Sequence, residues 1–256
     1  MDIQRARADD GFELAYTDYG DGPPLLLLHG FGNDQMMWHT SGWVEDLQSK
    51  YRVITMDLRG CGASSASAAP TDYSLDLHLA DIDTVLNVCG IGDTYVWGWS
   101  FGGTLGLHLA AHSPRITRAI IAGTYFGHIF TETYVRQRLD DVAPWVQAAA
   151  TNTVEELELP PSGKAYVRRM NWPAYVARWH SLVQWPWVEP QDVRCPMLVY
   201  TGTKDGNIVV QLQHQRAAIK AAGIQLHILE GLAHGQLFTE RLVIAPVVLP
   251  FLATTP

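Results

Sequence analysis

Cysteine is scarce in this sequence, and its scarcity limits the kinds of fold to consider. The 256 residues contain 3 cysteines, Cys61, Cys89 and Cys195, which are widely spaced and odd in number. They form neither a Cys-x-x-Cys pair nor a spacing typical of metal ligands. The cysteines therefore fit a reducing compartment better than a disulfide framework, no metal site is expected, and the thiols are expected to lie in the core.

Long apolar segments and runs of like charge are also missing. The N-terminal stretch MDIQRARADDGFELAY lacks the apolar core of a secretory signal, and an apolar run such as 23–28 is far too short to span a bilayer. The 26 acidic and 18 basic residues give a formal net charge of −8 without a long block of either sign. This distribution argues against nucleic acid or a membrane surface as partner. We expect a cytoplasmic protein that acts on a small molecule.

The sequence has no internal repeat, so the fold is inferred from the alternation of strand-like and helix-like segments. Strand-like segments occur at residues 12–18, 23–28, 51–57, 93–98, 118–124, 196–205 and 224–230. Helix-like segments occur between them at residues 36–49, 75–90, 101–112 and 209–222. This order predicts an α/β fold with a mostly parallel sheet flanked by helices. In the last segment, Pro246 and Pro250 are expected to break or kink a helix.

The alternation is interrupted by a segment with a different composition. Residues 125–190 are helical in pattern, rich in tryptophan and interrupted by proline, which indicates an inserted helical cap. The predicted organisation is one α/β core made of residues 1–124 and 191–256, with the cap at 125–190. At 47% hydrophobic residues, the chain can bury one large core.

The stretch VWGWSFGG at residues 96–103 places Ser100 at the junction of a predicted strand and a predicted helix. Glycine and serine are common in ordinary turns, so the pattern alone does not define a site. In a tight strand-to-helix turn, however, residues two positions before and after the serine approach so closely that side chains would clash, which explains Gly98 and Gly102. The turn exposes the serine hydroxyl above the sheet edge, where it can act as a nucleophile on a bound molecule.

Serine is a weak nucleophile and needs a base and an orienting acid. His234, in GLAHGQ, follows the last predicted strand, and Asp205, in TGTKDGN, follows another, so both are expected at the carboxyl edge of the sheet. Asp192 precedes its strand, and Asp57 is expected to have a structural role in the turn that follows it. The predicted triad is Ser100, Asp205 and His234, in the chain order typical of this architecture.

The other histidines have weaker claims to a catalytic role. His108 and His112 lie one turn apart on a predicted helix and are expected to face solvent. His29 is expected to hold its loop by hydrogen bonding. The remaining histidines are expected to be ordinary surface or core residues: His39, His78, His128, His180, His214 and His227.

Acyl transfer also requires donors for the oxyanion. The backbone N–H of Phe101 follows the nucleophile directly, and the N–H of Phe31 lies in the motif HGFG at residues 29–32, after a buried strand. A plain glycine turn is the alternative for HGFG. Its position before the serine favours an oxyanion hole made by Phe31 and Phe101.

Five motifs in order resemble the α/β-hydrolase superfamily, specifically small serine esterases and cofactor-free perhydrolases with a helical cap. They are HGFG at 29–32, DLRGCGAS at 57–64, GWSFGG at 98–103, the GTKD turn and the GLAH turn. The resemblance covers nearly the whole chain and implies the α/β-hydrolase fold, an acyl-enzyme intermediate and no cofactor. Two departures are Cys61, where such loops often carry histidine, and the proline-containing tail in place of a regular last helix. A serine nucleophile argues against the dehalogenase and epoxide hydrolase branches, which use aspartate.

Aromatic residues are frequent around these motifs and suggest an apolar substrate pocket. The residues predicted to line it are Trp38, Phe126, Phe130 and Trp185. Packing of the same rings in the core is the alternative. We therefore expect a carboxylesterase-like serine hydrolase for a small apolar or aromatic ester, or a related lactone or thioester. A carbon–carbon bond hydrolase, a perhydrolase and a ligand-binding receptor on the same scaffold are the alternatives.

Overall fold

One sheet of eight strands organises the computed structural model, which describes residues 2–254. The strands are β1 (Gln4–Arg7), β2 (Glu13–Tyr19), β3 (Pro24–Leu28), β4 (Arg52–Met56), β5 (Thr94–Trp99), β6 (Ile116–Ala122), β7 (Met197–Gly202) and β8 (Gln225–Leu229). Their spatial order is β1-β2-β4-β3-β5-β6-β7-β8. β1 and β2 pair antiparallel with their neighbours, and all other pairs are parallel. The predicted mostly parallel α/β fold is confirmed. Met1, Thr255 and Pro256, at the ends of the predicted core ranges, lie outside the described residues.

The central strand β3 shows why the sheet is covered on both faces. Leu25 and Leu27 pack into one apolar cluster, and Leu26 and Leu28 pack into another, because successive side chains of a strand point to opposite faces. All four are completely buried. A strand buried on both sides therefore has a continuous apolar sequence.

Eleven helices occur among the described residues and cover the two faces of the sheet. They are α1 (Met36–Thr40), α2 (Trp43–Leu47), α3 (Leu75–Val88), α4 (Phe101–His112), α5 (Glu132–Thr151), α6 (Pro161–Arg169), α7 (Trp172–Leu182), α8 (Gly206–His214), α9 (Arg216–Ala221), α10 (Gln236–Thr239) and α11 (Arg241–Ala253). The predicted helix 36–49 is two short helices, separated where Gly42 adopts a φ of 83°. The predicted helix 209–222 is likewise divided, into α8 and α9.

The C-terminal segment corrects the expectation of a broken helix. α11 continues through Pro246 and Pro250. Both prolines lie on the exposed side of the helix, whereas Ile244, Val248 and Phe251 are buried against the sheet. The prolines remove two backbone donors on the side where water can bind the freed carbonyl groups, and the buried side keeps its apolar packing.

Helices α5, α6 and α7 lie within the range 125–190 that the sequence predicts to be a cap. Their apolar side chains, such as Val135, Val167 and Trp172, belong to the same buried cluster as Leu26 and Leu28 of the sheet. Residues 125–190 therefore share one apolar cluster with the face of the sheet that Leu26 and Leu28 occupy. The division into core and cap stays a prediction.

The loop after β4 is fixed by a buried ion pair. The Arg59 guanidinium donates to both oxygens of Asp81 on α3 at 2.6 Å each, and both side chains are only 1% exposed. Its remaining Nη1 donates to the Asp10 carboxylate and the Asp72 carbonyl. Bidentate pairing, with a hydrogen bond from each of the three nitrogens, gives Arg59 one defined position, so the loop that continues into Cys61 is held against the core.

Candidate active site

Ser100 lies in a sharp turn between β5 and α4. Its backbone has φ 55° and ψ −115°, a conformation that side-chain-bearing residues rarely adopt. A Cβ added to Gly98 would lie 2.0 Å from the Gly102 carbonyl oxygen, and one added to Gly102 would lie 2.2 Å from the Leu28 oxygen. The two glycines are therefore required by close backbone approach. The Ser100 N–H donates to the Ala122 carbonyl at 2.7 Å, which ties the turn to the end of β6.

In the predicted triad, Ser100 and Asp205 each lie within hydrogen-bonding distance of His234. Ser100 Oγ is 3.0 Å from His234 Nε2, and His234 Nδ1 is 2.8 Å from Asp205 Oδ1. The Asp205 side chain is 2% exposed, whereas that of His234 is 39% exposed. Thr201 donates its hydroxyl to the other carboxylate oxygen of Asp205 at 2.6 Å. The carboxylate is thus fixed from both sides, and the ring between it and Ser100 remains accessible to a substrate.

The ends of β7 and β8 and the indole of Trp99 position Asp205 and His234 near Ser100. Asp205 follows β7, and His234 follows β8, which pairs with β7 in parallel. Parallel neighbours end at the same sheet edge, so both loops reach the region above Ser100. The indole N–H of Trp99 donates to the His234 carbonyl at 3.1 Å, and the two rings are 5.0 Å apart. The residue before the nucleophile therefore holds the loop of the histidine.

The backbone amides of Phe31 and Phe101 belong to two segments that lie next to Ser100. Phe101 is the first residue of α4, where an amide has no carbonyl one turn earlier to bind. Within residues 2–254, the Phe31 N–H has no hydrogen-bond partner. Gly30 packs on the turn so closely that an added Cβ would be 3.2 Å from Ser100 Cβ. Two free N–H groups next to a hydroxyl form the kind of site that stabilises an oxyanion.

A cavity of about 590 Å³ opens above Ser100 and His234. Its wall is mainly aromatic and apolar, with side chains from the loop after β3, the turn, the segment after β6 and two helices that follow it. These are Phe31, Phe101, Tyr125, Ile129, Phe130 and Trp179. Lys204, Asn207 and Arg138 add polar groups. The cavity suits an organic molecule with an apolar part.

Three of the four predicted pocket residues do not line this cavity. Trp38 is completely buried on the opposite face of the sheet, with its ring 5.2 Å from that of Trp97. Phe126 is buried, and its backbone binds the side-chain amide of Gln215. Trp185 packs behind Phe101, at 5.5 Å between rings, and donates to the Tyr73 carbonyl. Only Phe130 of the four reaches the cavity, and the other rings pack the core.

Predictions for three residues outside the triad, His29, Asp57 and His108, can be compared with their contacts in the structure. His29 Nε2 accepts from the Leu58 amide at 3.0 Å, so this ring holds the loop as expected. Asp57 accepts from the amides of Gln35 and Ala63, which is the expected structural role. The prediction that His108 faces solvent is wrong, because α4 is covered by the sheet on one side and by Trp185 on the other. Burial lowers the pKa of His108 to about 4.

His78 is a second buried histidine, next to the proposed oxyanion residue Phe101. Its ring is 5.7 Å from the Phe101 ring, its Nδ1 donates to the Ser74 carbonyl at 2.9 Å, and its Nε2 has no partner among the described residues. Burial lowers the pKa of His78 to about 3 from its usual 6.5. The ring is therefore uncharged in the folded protein at all but very acidic pH.

This buried histidine makes stability depend on pH. As the pH falls below about 6.5, the unfolded chain binds a proton at this residue and the folded chain does not, so the free energy of unfolding falls by up to ~1.4 kcal/mol per pH unit until about pH 3. We expect His78→Asn to reduce this slope, measured by urea unfolding at a series of pH values. Ile82→Val on the same helix is the control, since it lowers stability equally at every pH. An unchanged slope in His78→Asn would contradict the assignment.

Among residues 2–254, no group of three or more His, Cys, Asp or Glu side chains is arranged to bind a metal. None of the helices in the same range is long and apolar enough to cross a membrane.

A family model described as alpha/beta hydrolase fold matches residues 23–211. The chain therefore belongs to the α/β-hydrolase fold family, and the predicted resemblance is confirmed. This membership defines the class of the protein at the level of its fold family.

Curated relatives include hydrolases of several kinds. An (E)-2-((N-methylformamido)methylene)succinate hydrolase of Acinetobacter baylyi is 25% identical over 217 residues, covering 78% of this chain and 81% of the relative. Epoxide hydrolase 4 of Mus musculus is 34% identical over 131 residues, covering 50% of this chain and 36% of the relative. A pimeloyl-(acyl-carrier protein) methyl ester esterase of Aeromonas hydrophila is 36% identical over 103 residues, covering 40% and 38%. The chain thus spans little more than a third of the last two proteins.

Solved structures share the fold along nearly the whole chain. A hydrolase from Pseudomonas aeruginosa PA01 has a TM-score of 0.80 at 24% identity, with 99% of both chains covered. An esterase from Exiguobacterium antarcticum has a TM-score of 0.77 at 21% identity, with 98% of this chain and 99% of the other covered. An enol-lactonase from Burkholderia xenovorans LB400 has a TM-score of 0.76 at 23% identity, with 98% and 100% covered. These likenesses concern the fold.

Proposed function

We propose that this protein is a serine hydrolase that cleaves small apolar or aromatic carboxylic esters through an acyl-enzyme intermediate. The observation that carries the proposal is the chain of hydrogen bonds from Ser100 Oγ to His234 to Asp205, at 3.0 and 2.8 Å, at the base of an aromatic cavity. Such a chain activates a hydroxyl as a nucleophile.

In the first half of the reaction, Ser100 Oγ attacks the ester carbonyl while His234 Nε2 takes its proton. Asp205 keeps the His234 proton on Nδ1 and stabilises the imidazolium that forms. The carbonyl oxygen becomes negatively charged and accepts from the amides of Phe31 and Phe101. The tetrahedral intermediate then expels the alcohol, which receives its proton from His234.

In the second half, water replaces the alcohol. His234 takes a proton from this water, which attacks the acyl carbonyl, and the same two amides bind the oxyanion again. The serine leaves with a proton from His234, and the carboxylic acid is released. The partial exposure of His234 supports this step, because water must reach the ring.

The nucleophile distinguishes the proposal from epoxide opening, although epoxide hydrolases are among the relatives. Attack of Ser100 on an epoxide would give an ether, which activated water does not cleave, whereas attack on an ester gives a hydrolysable acyl-enzyme. The similarity to an enzyme named as a methyl ester esterase supports the ester. We also propose a cytoplasmic location, because all three cysteines are unpaired.

Phe130 tests the predicted preference for aromatic acyl groups, because its ring lines the cavity. With 4-nitrophenyl phenylacetate, we expect Phe130→Ala to lower kcat/KM about tenfold, since the truncation removes apolar contact with the acyl ring. With 4-nitrophenyl acetate, which does not reach as far, we expect a change below about twofold. Steady-state kinetics on both esters measure the difference.

Trp187→Ala is the matched control for this experiment, because Trp187 is an aromatic side chain of the same segment that is 53% exposed and does not line the cavity. It should leave both esters unaffected. Equal losses on acetate and phenylacetate in Phe130→Ala would contradict the acyl pocket. Binding of these esters without multiple turnover in the wild type would contradict the hydrolase and favour a receptor.

A further inference from the structure

Arg178 on α7 is a buried cation without a carboxylate partner among the described residues. Its side chain is 1% exposed, and its single hydrogen bond runs from Nη1 to the sulfur of Cys61 at 2.7 Å. Within residues 2–254 its Nε has no partner, and its guanidinium lies over the rings of Phe31 at 4.5 Å and Tyr175 at 5.7 Å. A guanidinium keeps its charge in proteins, and a buried charge needs an opposite one.

A thiolate at Cys61 supplies that opposite charge. His29, on the other side of Cys61, does not provide a competing cation, because its Nε2 accepts from the Leu58 amide and its Nδ1 donates to the Gly30 carbonyl. Burial alone raises the pKa of the Cys61 thiol, but the overall shift is downward, and the charge of Arg178 is the largest of the effects that lower it. Asp57, Tyr73 and Tyr166 also face the thiol of Cys61.

A second cavity reaches Cys61. It has a volume of about 330 Å³ and lies between the loop after β4, which contributes Gly60 and Ser64, and the connection from α6 to α7, which contributes Met170 and Asn171. It shares no lining residue with the cavity above Ser100. Since a water molecule takes about 30 Å³ in the liquid, a small molecule can enter this space.

We propose that Cys61 is a thiolate paired with Arg178 and is a site of covalent modification by small hydroperoxides that enter through this second cavity. The sulfur attacks one peroxide oxygen, the O–O bond breaks, and a sulfenic acid forms on Cys61. With hydrogen peroxide the leaving hydroxide takes a proton and becomes water. Sulfur loses two electrons and the peroxide gains them.

The other two cysteines provide internal controls in the same chain. Cys89 and Cys195 are more exposed than Cys61, which is 6% exposed. Burial of their sulfur atoms, without a cation in hydrogen-bonding contact, raises the pKa of each to about 11. Exposure alone therefore predicts that Cys61 reacts most slowly, whereas its pairing with Arg178 predicts that it reacts fastest.

Alkylation of the native wild-type protein tests the thiolate directly. Iodoacetamide is added at a series of pH values, and mass spectrometry measures the rate at each cysteine. We expect Cys61 to react at least about tenfold faster than Cys89 and Cys195 near neutral pH, with a midpoint below the ~8.5 of a free thiol. A midpoint at or above that of a free thiol, or a rate at Cys61 below that at Cys89, would overturn the proposal.

Variants of Arg178 show whether the guanidinium is the cause. Arg178→Lys keeps a cation and should keep the low midpoint, whereas Arg178→Met should move the midpoint to that of an ordinary or buried thiol. If Arg178→Met does not fold, the alkylation midpoints of Cys61 in the wild type and in Arg178→Lys still test whether Cys61 is a thiolate. An unchanged midpoint in a folded Arg178→Met would overturn the role of the ion pair.

A second readout rests on the proposed function. Arg178 lies on the ring of Phe31, whose amide is the proposed oxyanion donor, and a neutral sulfenic acid leaves Arg178 without its counter-charge. We expect hydrogen peroxide to lower kcat on a nitrophenyl ester several-fold, with recovery after dithiothreitol. Cys61→Ser should resemble the oxidised wild type, Cys61→Asp should keep more activity, and neither should respond to peroxide.

The two proposals can fail separately. Absence of any ester hydrolysis defeats the proposed function, while the alkylation profile still decides the state of Cys61. Complete oxidation of Cys61 without a change in kcat overturns its coupling to the active site.

Discussion

Ser100→Ala is expected to lower kcat on a nitrophenyl ester by a factor on the order of 10⁴ to 10⁶. The alanine removes the only atom that forms the acyl-enzyme, while the cavity and the two backbone amides remain. Residual hydrolysis over the uncatalysed rate comes from binding and from oxyanion stabilisation alone. Because the effect is on a covalent step, the burst of nitrophenol in the first turnover should also disappear.

The control must separate loss of chemistry from loss of fold. Alanine has to adopt the same φ of 55° as Ser100, so the strain of the turn is similar in the two proteins. We expect thermal unfolding followed by circular dichroism to show midpoints within a few degrees. Ser113→Ala, at the other end of α4, is the matched serine control and should keep full activity. If Ser100→Ala retained a tenth of the wild-type kcat, another residue would have to be the nucleophile.

Asp205→Asn is expected to lower kcat by a factor on the order of 10³ to 10⁴. The carboxylate accepts from His234 Nδ1 and from the Thr201 hydroxyl, so both of its oxygens act only as acceptors. An asparagine has one oxygen and one NH₂ group. Where the NH₂ group faces Nδ1, the imidazole carries its proton on Nε2 and can no longer accept the proton of Ser100.

Thr201→Val is the control for this second variant. It removes one hydrogen bond to Asp205 and leaves the charge and the bond to His234 in place, so we expect a loss of only a few-fold. Steady-state kinetics of the two variants at several pH values make the comparison. If Asp205→Asn lost no more activity than Thr201→Val, the acid that orients His234 would have to be sought elsewhere.

The arrangement of the proposed triad could be predicted from the sequence because it depends on topology. Ser100, Asp205 and His234 each follow a strand of the parallel part of the sheet, and such strands end at one edge. The distance between residues 100 and 234 in the chain is therefore irrelevant to their distance in space. The 3.0 Å contact itself needs the structure, since it depends on the loop after β8.

The pocket could not be predicted in the same way, because aromatic content does not tell which face of the sheet a ring occupies. Trp38 and Trp185 have sequence surroundings as apolar as those of Phe130, yet only Phe130 lines the cavity. One signal was available for a missed residue. Tyr125 closely follows β6, whose carboxyl end lies at the same edge as Ser100. A search for aromatic residues directly after predicted strands would therefore have identified Tyr125, whereas a search for aromatic-rich segments did not.

The burial of His108 and the continuity of α11 escaped prediction for a related reason. A helix pattern shows which side chains share a face but not how many neighbours surround the helix. α4 is covered by the sheet and by Trp185, so His108 is enclosed as well. α11 has its prolines on the exposed side, where their missing donors cost little.

The hydrogen bond from the Trp99 indole to the His234 carbonyl has a consequence for the tolerance of the site to motion. Trp99 is covalently joined to Ser100, so a displacement of the sheet edge carries the nucleophile and the anchor of the histidine loop in the same direction. The separation of the reacting atoms is then set by a short local linkage, although the two residues are 134 positions apart in the chain. The Trp99 indole therefore couples the position of the histidine loop to that of the nucleophile.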